Sequence, residues 1–206
     1  MTSTDRPQIY LLTPPVFELE SFIPRLGAVL DAVEVACLRL ALAGRDEDAI
    51  ARAADACRMA AHERDVAIVI AEHLKLVERH GLDGVHLMDA ARSVRLARKE
   101  LGADAIVGAW CGASKHAGMA AGEAGADYVC FGPMAETPLH NGAIAERALF
   151  SWWSEVIEVP VVAEGALTAA LVAELAPVTD FFAFGDEVWS APDPVAALKA
   201  LAAAMG

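Results

Sequence analysis

The polar side chains that could do chemistry in this sequence stand where short apolar runs end. Arg39 closes the run beginning Cys37-Leu38, and Glu72 and His73 follow Ile68-Val69-Ile70. His86 sits inside Gly84-Val85-His86-Leu87, with Asp89 two residues beyond it. Thr137 and His140 fall in the long stretch 131–142, Glu164-Gly165 ends the run Val161-Val162-Ala163, and Gly185-Asp186-Glu187 follows residues 181–184. An arginine grips planar anions at two points. Carboxylates hold hard cations such as Mg2+, and a histidine moves protons near neutrality.

Each residue also has a plainer reading. Arg39 could pair with a carboxylate, His86 could be held by packing, and His140 lies in a polar Asn-Gly turn. Glu72 could cap the helix that starts beside it, since carboxylates favour a helix N-terminus. Trp152-Trp153 suits helix packing better than a base-stacking platform.

The elements that must position these residues alternate. Candidate strands at 8–13, 33–38, 67–70, 84–87, 106–110, 128–132, 161–164 and 181–185 are each followed by a segment of 3.6-residue periodicity, at 21–30, 46–63, 74–80, 93–101, 115–124, 151–156, 167–176 and 194–204. Gly81-Leu82-Asp83-Gly84-Val85 and Gly125-Ala126-Asp127-Tyr128-Val129 repeat one phrase, in which a Gly closes a helix and an Asp turns the chain into a strand. Eight such units in 206 residues predict an α/β fold, a (β/α)8 TIM barrel forming a single compact domain over residues 1–206, with 1–7 as an N-terminal tail. A doubly wound sheet is the rival, but the first strand runs into Pro14-Pro15 and not into a glycine-rich dinucleotide turn. In a barrel, working residues sit at the C-terminal ends of the strands, which is where the residues above fall.

Composition narrows the partners. With 29 acidic against 16 basic residues the net charge is −13, which opposes nucleic acid. Mean hydropathy is +0.39, yet every apolar run breaks well before the roughly 18 residues of a membrane span. No secretory leader is visible, so a cytoplasmic address is expected. The four cysteines, Cys37, Cys57, Cys111 and Cys130, are widely spaced in apolar surroundings and read as reduced core residues.

Several of these segments resemble one family. Tyr10-Leu11-Leu12-Thr13, Leu38-Arg39, Gly84-Val85-His86-Leu87, Gly125 through Pro133 followed by Thr137-Pro138, and Pro160-Val161-Val162-Ala163-Glu164-Gly165 are similar to segments of the thiamine-phosphate synthases and their thiazole tautomerase relatives, over almost the full length. The resemblance implies a transferase that joins 4-amino-5-hydroxymethyl-2-methylpyrimidine diphosphate to thiazole phosphate and releases pyrophosphate, with Mg2+ as cofactor. It implies catalytic roles for Arg39 and His140, and substrate contacts from Arg39, His86, Thr137, His140, Gly165 and Gly185. Glu72 and Asp89 become the metal ligands. The partners would be small phosphorylated pyrimidine and thiazole ligands, and self-association into a homo-oligomer is left open.

The sequence departs from the family pattern at several positions. A family Lys is replaced by Ala41, the Asn-Asp after strand three reads Ala71-Glu72, and a metal-binding Asp falls on Ala91 with Asp89 displaced two residues earlier. The Ser of the strand-five turn falls on Ala109 or Trp110, and a Lys falls on His140. Asp186-Glu187 stands where family members bind a phosphate through backbone N–H groups. A ligand-binding or regulatory barrel without catalysis is therefore the alternative. Thiazole tautomerase ranks third, because its histidine position holds Pro133.

Overall fold

A computed structural model describes residues 6–44, 46–136 and 143–206. Eight parallel strands close a barrel in which each pairs with its sequence neighbours and β8 pairs with β1. The strands are β1 Gln8–Leu12, β2 Cys37–Leu40, β3 Ala67–Ala71, β4 Gly84–Leu87, β5 Ile106–Trp110, β6 Tyr128–Phe131, β7 Val161–Glu164 and β8 Phe181–Phe184. The helices are α1 Leu19–Ala32, α2 Glu47–His62, α3 Leu74–His80, α4 Val94–Leu101, α5 Lys115–Ala124, α6 Arg147–Val156, α7 Ala169–Leu175, a four-residue α8 Asp186–Trp189 and α9 Pro194–Ala203. The expected (β/α)8 barrel is the observed fold.

Two apolar layers follow from the two-residue period of the strands. Outward residues such as Leu11, Leu38, Ile68, Val85, Val129, Phe131 and Phe182 join the helices in one large core. Inward residues form a second cluster, Tyr10, Cys37, Val69, Tyr128, Cys130, Val162 and Ala183, filling the barrel. Cys37 and Cys130 thus line the interior, whereas Ala163 packs outward. The lumen is narrow enough to dictate a glycine: a Cβ on Gly108 would stand 2.0 Å from Cζ of the Tyr128 ring.

The strand-initiating aspartates have a specific task. Asp83, Asp127 and Asp180, each at the entrance to an even-numbered strand, accept the backbone N–H of Ile68, Val107 and Val161 on the preceding strand, at 2.7, 2.7 and 2.8 Å. Their own N–H groups bond back to the carbonyls of the same three residues. This closes the ladder at the end of the barrel remote from the strand-end chemistry. Asp180 belongs to the set although its sequence context, Val178-Thr179-Asp180, lacks the glycine phrase.

Two boundaries differ from expectation by four residues, and others by one or two. β2 starts at Cys37 instead of residue 33, because hydrogen bonding to both neighbours begins only where Cys37 faces Tyr10 and Ala67. Helix α6 starts at Arg147, four residues earlier than its apolar periodicity indicates. No helix among the described residues is long and apolar enough to cross a membrane.

The aspartate clamp predicts that Asp180→Ala, which leaves the Val161 N–H without its acceptor, destabilises the fold by about 1 kcal/mol. A melting curve should show a drop of roughly 2–4 °C. Asp180→Asn keeps an acceptor oxygen and should lose less.

Candidate functional site

At the C-terminal end of the barrel the inward side chains turn polar. Arg39, on β2, is 3% exposed, and its Nη2 donates to Oε1 of Glu164 on β7 at 2.5 Å. The other carboxylate oxygen of Glu164 accepts from Cys130 Sγ at 3.1 Å. Burial opposes the charge on Arg39, but the opposing charge and hydrogen bond of Glu164 outweigh it and raise the guanidinium pKa. Arg39 Cζ also lies 5.7 Å from the centroid of the Tyr10 ring. The Nε and Nη1 atoms of Arg39 are buried and have no hydrogen-bond partner among the described residues. They are free donors in a desolvated place, a condition that favours an added acceptor.

Below this pair runs a second polar chain. His86 Nδ1 hydrogen-bonds with the Tyr128 hydroxyl at 2.9 Å, and Tyr128 with the Tyr10 hydroxyl at 2.6 Å. Burial, and then the neighbouring Arg39 charge, push the His86 pKa well below the usual imidazole range, so the ring is neutral at physiological pH. Its Nε2 has no hydrogen-bond partner among the described residues. Burial also raises the phenols of Tyr10 and Tyr128 far above their usual range. The thiols of Cys37, Cys57 and Cys111 are pushed up by burial to about 12, and all four cysteines are free and buried. These thiols are core residues and not nucleophiles.

The loops add the remaining positions. Glu72 follows β3 in the left-handed region, at φ 62°, and its N–H bonds to the His86 carbonyl, so it lies beside the end of β4. It does not cap α3, whose N-cap is His73. Asp89, beyond β4, accepts from Ser93 Oγ at 2.6 Å through Oδ2, while Oδ1 is buried without a partner among the described residues. Gly165 is left-handed at φ 89°, and its carbonyl accepts the Met134 N–H at 2.9 Å, joining the loops after β6 and β7. The Gly185 N–H, at the end of β8, donates to Oε2 of Glu187. Thr137 and His140 lie outside the described residues. Among the described residues no group of three or more His, Cys, Asp or Glu side chains is placed to hold a metal ion.

The structure therefore brings Arg39 and His86 into one polar interior and puts Glu72 and Asp89 on adjacent strand-end loops. A surface hollow of about 860 Å³, lined by Pro15, Phe17, Leu42, Gly44 and Ile50 among others, lies beside the loops after β1 and β2 and does not include Arg39. The site is thus marked by strand-end chemistry and not by that hollow. Trp153 is a packing residue, its Nε1 donating to the Val159 carbonyl at 2.7 Å and its ring set edge-on to Phe131. Sequence reasoning missed the pairing of Glu164 with Arg39 and the Tyr10–Tyr128–His86 chain. The signal lay in the alternation along the strands, which points all of these residues inward.

Known proteins resemble this chain in sequence and in fold. The thiamine monophosphate synthase family model matches residues 9–183. A thiamine-phosphate synthase of Rhodospirillum centenum is 41% identical over 198 residues, covering 93% of this chain and 94% of the relative. Another, of Hyphomonas neptunium, is 38% identical over 212 residues, covering 97% and 96%. Among solved structures, a thiamine phosphate pyrophosphorylase of Pyrococcus furiosus superposes with a TM-score of 0.81 at 19% identity, covering 97% of each chain. A 3-hexulose-6-phosphate synthase superposes at 0.71 and 15% identity, covering 96% of this chain and 99% of that one, a likeness of fold.

Two predictions follow from the buried polar groups. Glu164→Ala leaves Arg39 charged and unpaired and should cost about 3–5 kcal/mol, lowering Tm by roughly 10 °C. Replacing both, as Arg39→Met with Glu164→Leu, should recover most of that loss in the same melting experiment. His86 generates a pH effect. Unfolded, it takes a proton near pH 6.5, and folded, its pKa is depressed. Its contribution is therefore full above about pH 6.5 and is lost as pH falls toward the folded pKa, at up to about 1.4 kcal/mol per pH unit. Urea midpoints from pH 7.5 to 5 should fall more steeply for the natural protein than for His86→Asn, and parallel curves would mean that the folded ring accepts the proton.

Proposed function

The chain belongs to the thiamine monophosphate synthase family, and on that premise we propose that it joins 4-amino-5-hydroxymethyl-2-methylpyrimidine diphosphate to thiazole phosphate with release of pyrophosphate. The observation that carries the reading is the likeness to thiamine-phosphate synthases, 41% identical over nearly the whole chain, and the buried Arg39 near the C-terminal end of β2 is consistent with it. In this reaction a carbon–oxygen bond to pyrophosphate breaks and the thiazole takes the carbon in place of the leaving group. The departing oxygen gains negative charge, so the site must supply positive charge and hydrogen-bond donors that are already in place.

Arg39 meets that need. Its Nε and Nη1 are buried and unpartnered, and a phosphate oxygen would satisfy them through charge-assisted hydrogen bonds. Glu164 holds the guanidinium in one orientation, which lowers the ordering cost of binding. It also offsets the charge of Arg39. His86, neutral and with Nε2 unpartnered, lines the same interior and is suited to contact a ring of the substrate without adding charge.

The donor set fits Mg2+, which keeps most of its waters and needs only one or two protein carboxylates. Oδ1 of Asp89, buried and without a partner, is one such donor, and Glu72 on the adjacent loop is the second. When bound, the ion would neutralise pyrophosphate charge. The family resemblance adds Thr137 and His140 as substrate contacts, with His140 as the second catalytic group, and Gly165 and Gly185 stand at the mouth just past β7 and β8.

Formation of thiamine phosphate from the two precursors, in the presence of Mg2+, is the direct test. Arg39→Ala should weaken binding of the pyrimidine diphosphate about tenfold or more in a calorimetric titration, because Ala41 offers no second cation. Ala41→Lys with Ala91→Asp, at two half-buried positions, should raise turnover. Failure of both variants to change binding of the pyrimidine diphosphate would overturn the transferase reading in favour of a barrel that binds some other ligand.

A further inference from the structure

The carboxylate of Glu187 is engaged with two backbone N–H groups. Its Oε1 accepts from Leu167, in the loop after β7, at 3.0 Å, and its Oε2 from Gly185, at the end of β8, at 3.0 Å. In (β/α)8 barrels the loops after the seventh and eighth strands are a frequent phosphate site. Such sites work by aiming backbone N–H groups at the anion. Here two N–H groups from those two loops converge on one anion, and it is the protein's own. A carboxylate offers the same pair of charged acceptors that a phosphate would.

The surrounding chain is built to hold this arrangement. Gly165 and Ala166 are both left-handed, at φ 89° and 55°, and this double turn leads directly into Leu167. An alanine in that region is strained, and such strain persists only where neighbouring structure enforces it. On the other side, Trp189 Nε1 donates to the Leu12 carbonyl at 2.5 Å and ties the short helix bearing Glu187 to the end of β1.

We propose that Glu187 is a specificity-determining residue: it fills the cup between the β7 and β8 loops and competes with the phosphate of the second substrate. The inference deepens the synthase reading and rests on it for the identity of that substrate. A phosphate enters only when the carboxylate leaves, because both need the same two donors and like charges repel across one cup. The thiazole alcohol, which carries no phosphate, does not meet this competition. The natural protein therefore discriminates between thiazole phosphate and thiazole alcohol less than the cup itself allows.

The test compares the natural protein with Glu187→Gln and Glu187→Ala. Glu187→Gln keeps one acceptor oxygen for the cup and removes only the charge, so it guards against a loop that collapses in the alanine variant. Titration with inorganic phosphate, followed by phosphorus NMR, should show about tenfold tighter binding in both variants, the scale of one charge-assisted contact regained. In turnover assays the KM for thiazole phosphate should fall by a similar factor, the KM for the pyrimidine diphosphate should hold, and the preference for thiazole phosphate over thiazole alcohol should widen. Equal phosphate binding in all three proteins, or weaker binding in the variants, would overturn the proposal. Tighter phosphate binding in the variants of a protein that makes no thiamine phosphate would uphold the filled cup and overturn the synthase reading instead.

Discussion

The buried ion pair between Arg39 and Glu164 is the constraint on which the barrel interior depends. A guanidinium at 3% exposure is far too costly to bury alone, and the partner that makes it tolerable stands on β7, across the barrel from β2. Only a closed barrel sets those two strand ends facing each other. The same closure forces the rest of the lumen to fit around them. Tyr128 fills the space that Gly108 leaves, its hydroxyl joins Tyr10 and His86, and Cys130 donates to the second oxygen of Glu164.

That pair also sets the electrostatics of the mouth. A barrel that handles diphosphates needs positive potential at its C-terminal face, and this chain carries a net charge of −13. Its buried cation is offset by Glu164, and the paired N–H groups of the β7 and β8 loops are offset by Glu187. Both sets of donors thus already face a carboxylate of the same molecule. Among the described residues at this face, free capacity lies in the unpartnered nitrogens of Arg39 and His86 and in Oδ1 of Asp89. Binding of anions at this face is consequently governed as much by what must be displaced as by what is offered.

Much of this was legible in the sequence. The alternation of short apolar runs with 3.6-residue periodicity determined eight strand–helix units, because burying one layer of a parallel sheet inside and one outside leaves little freedom in strand composition. The positions of Arg39, Glu72, His86, Asp89, Gly165 and Gly185 at the functional end followed from that count alone. Partnerships were not legible. Glu164 reads as one more strand-end carboxylate until closure puts it against Arg39, and Glu187 as a carboxylate opposing an anion until two loops from different strands are seen to aim N–H groups at it. Asp180 joins Asp83 and Asp127 without sharing their glycine phrase. The start of β2 at Cys37 was decided by where both neighbours can hydrogen-bond, which no local propensity contains. Local pattern fixes which face a side chain takes, since that depends on residues within a few positions. Which group it meets there depends on residues 15 to 125 positions away, and only the tertiary structure decides that.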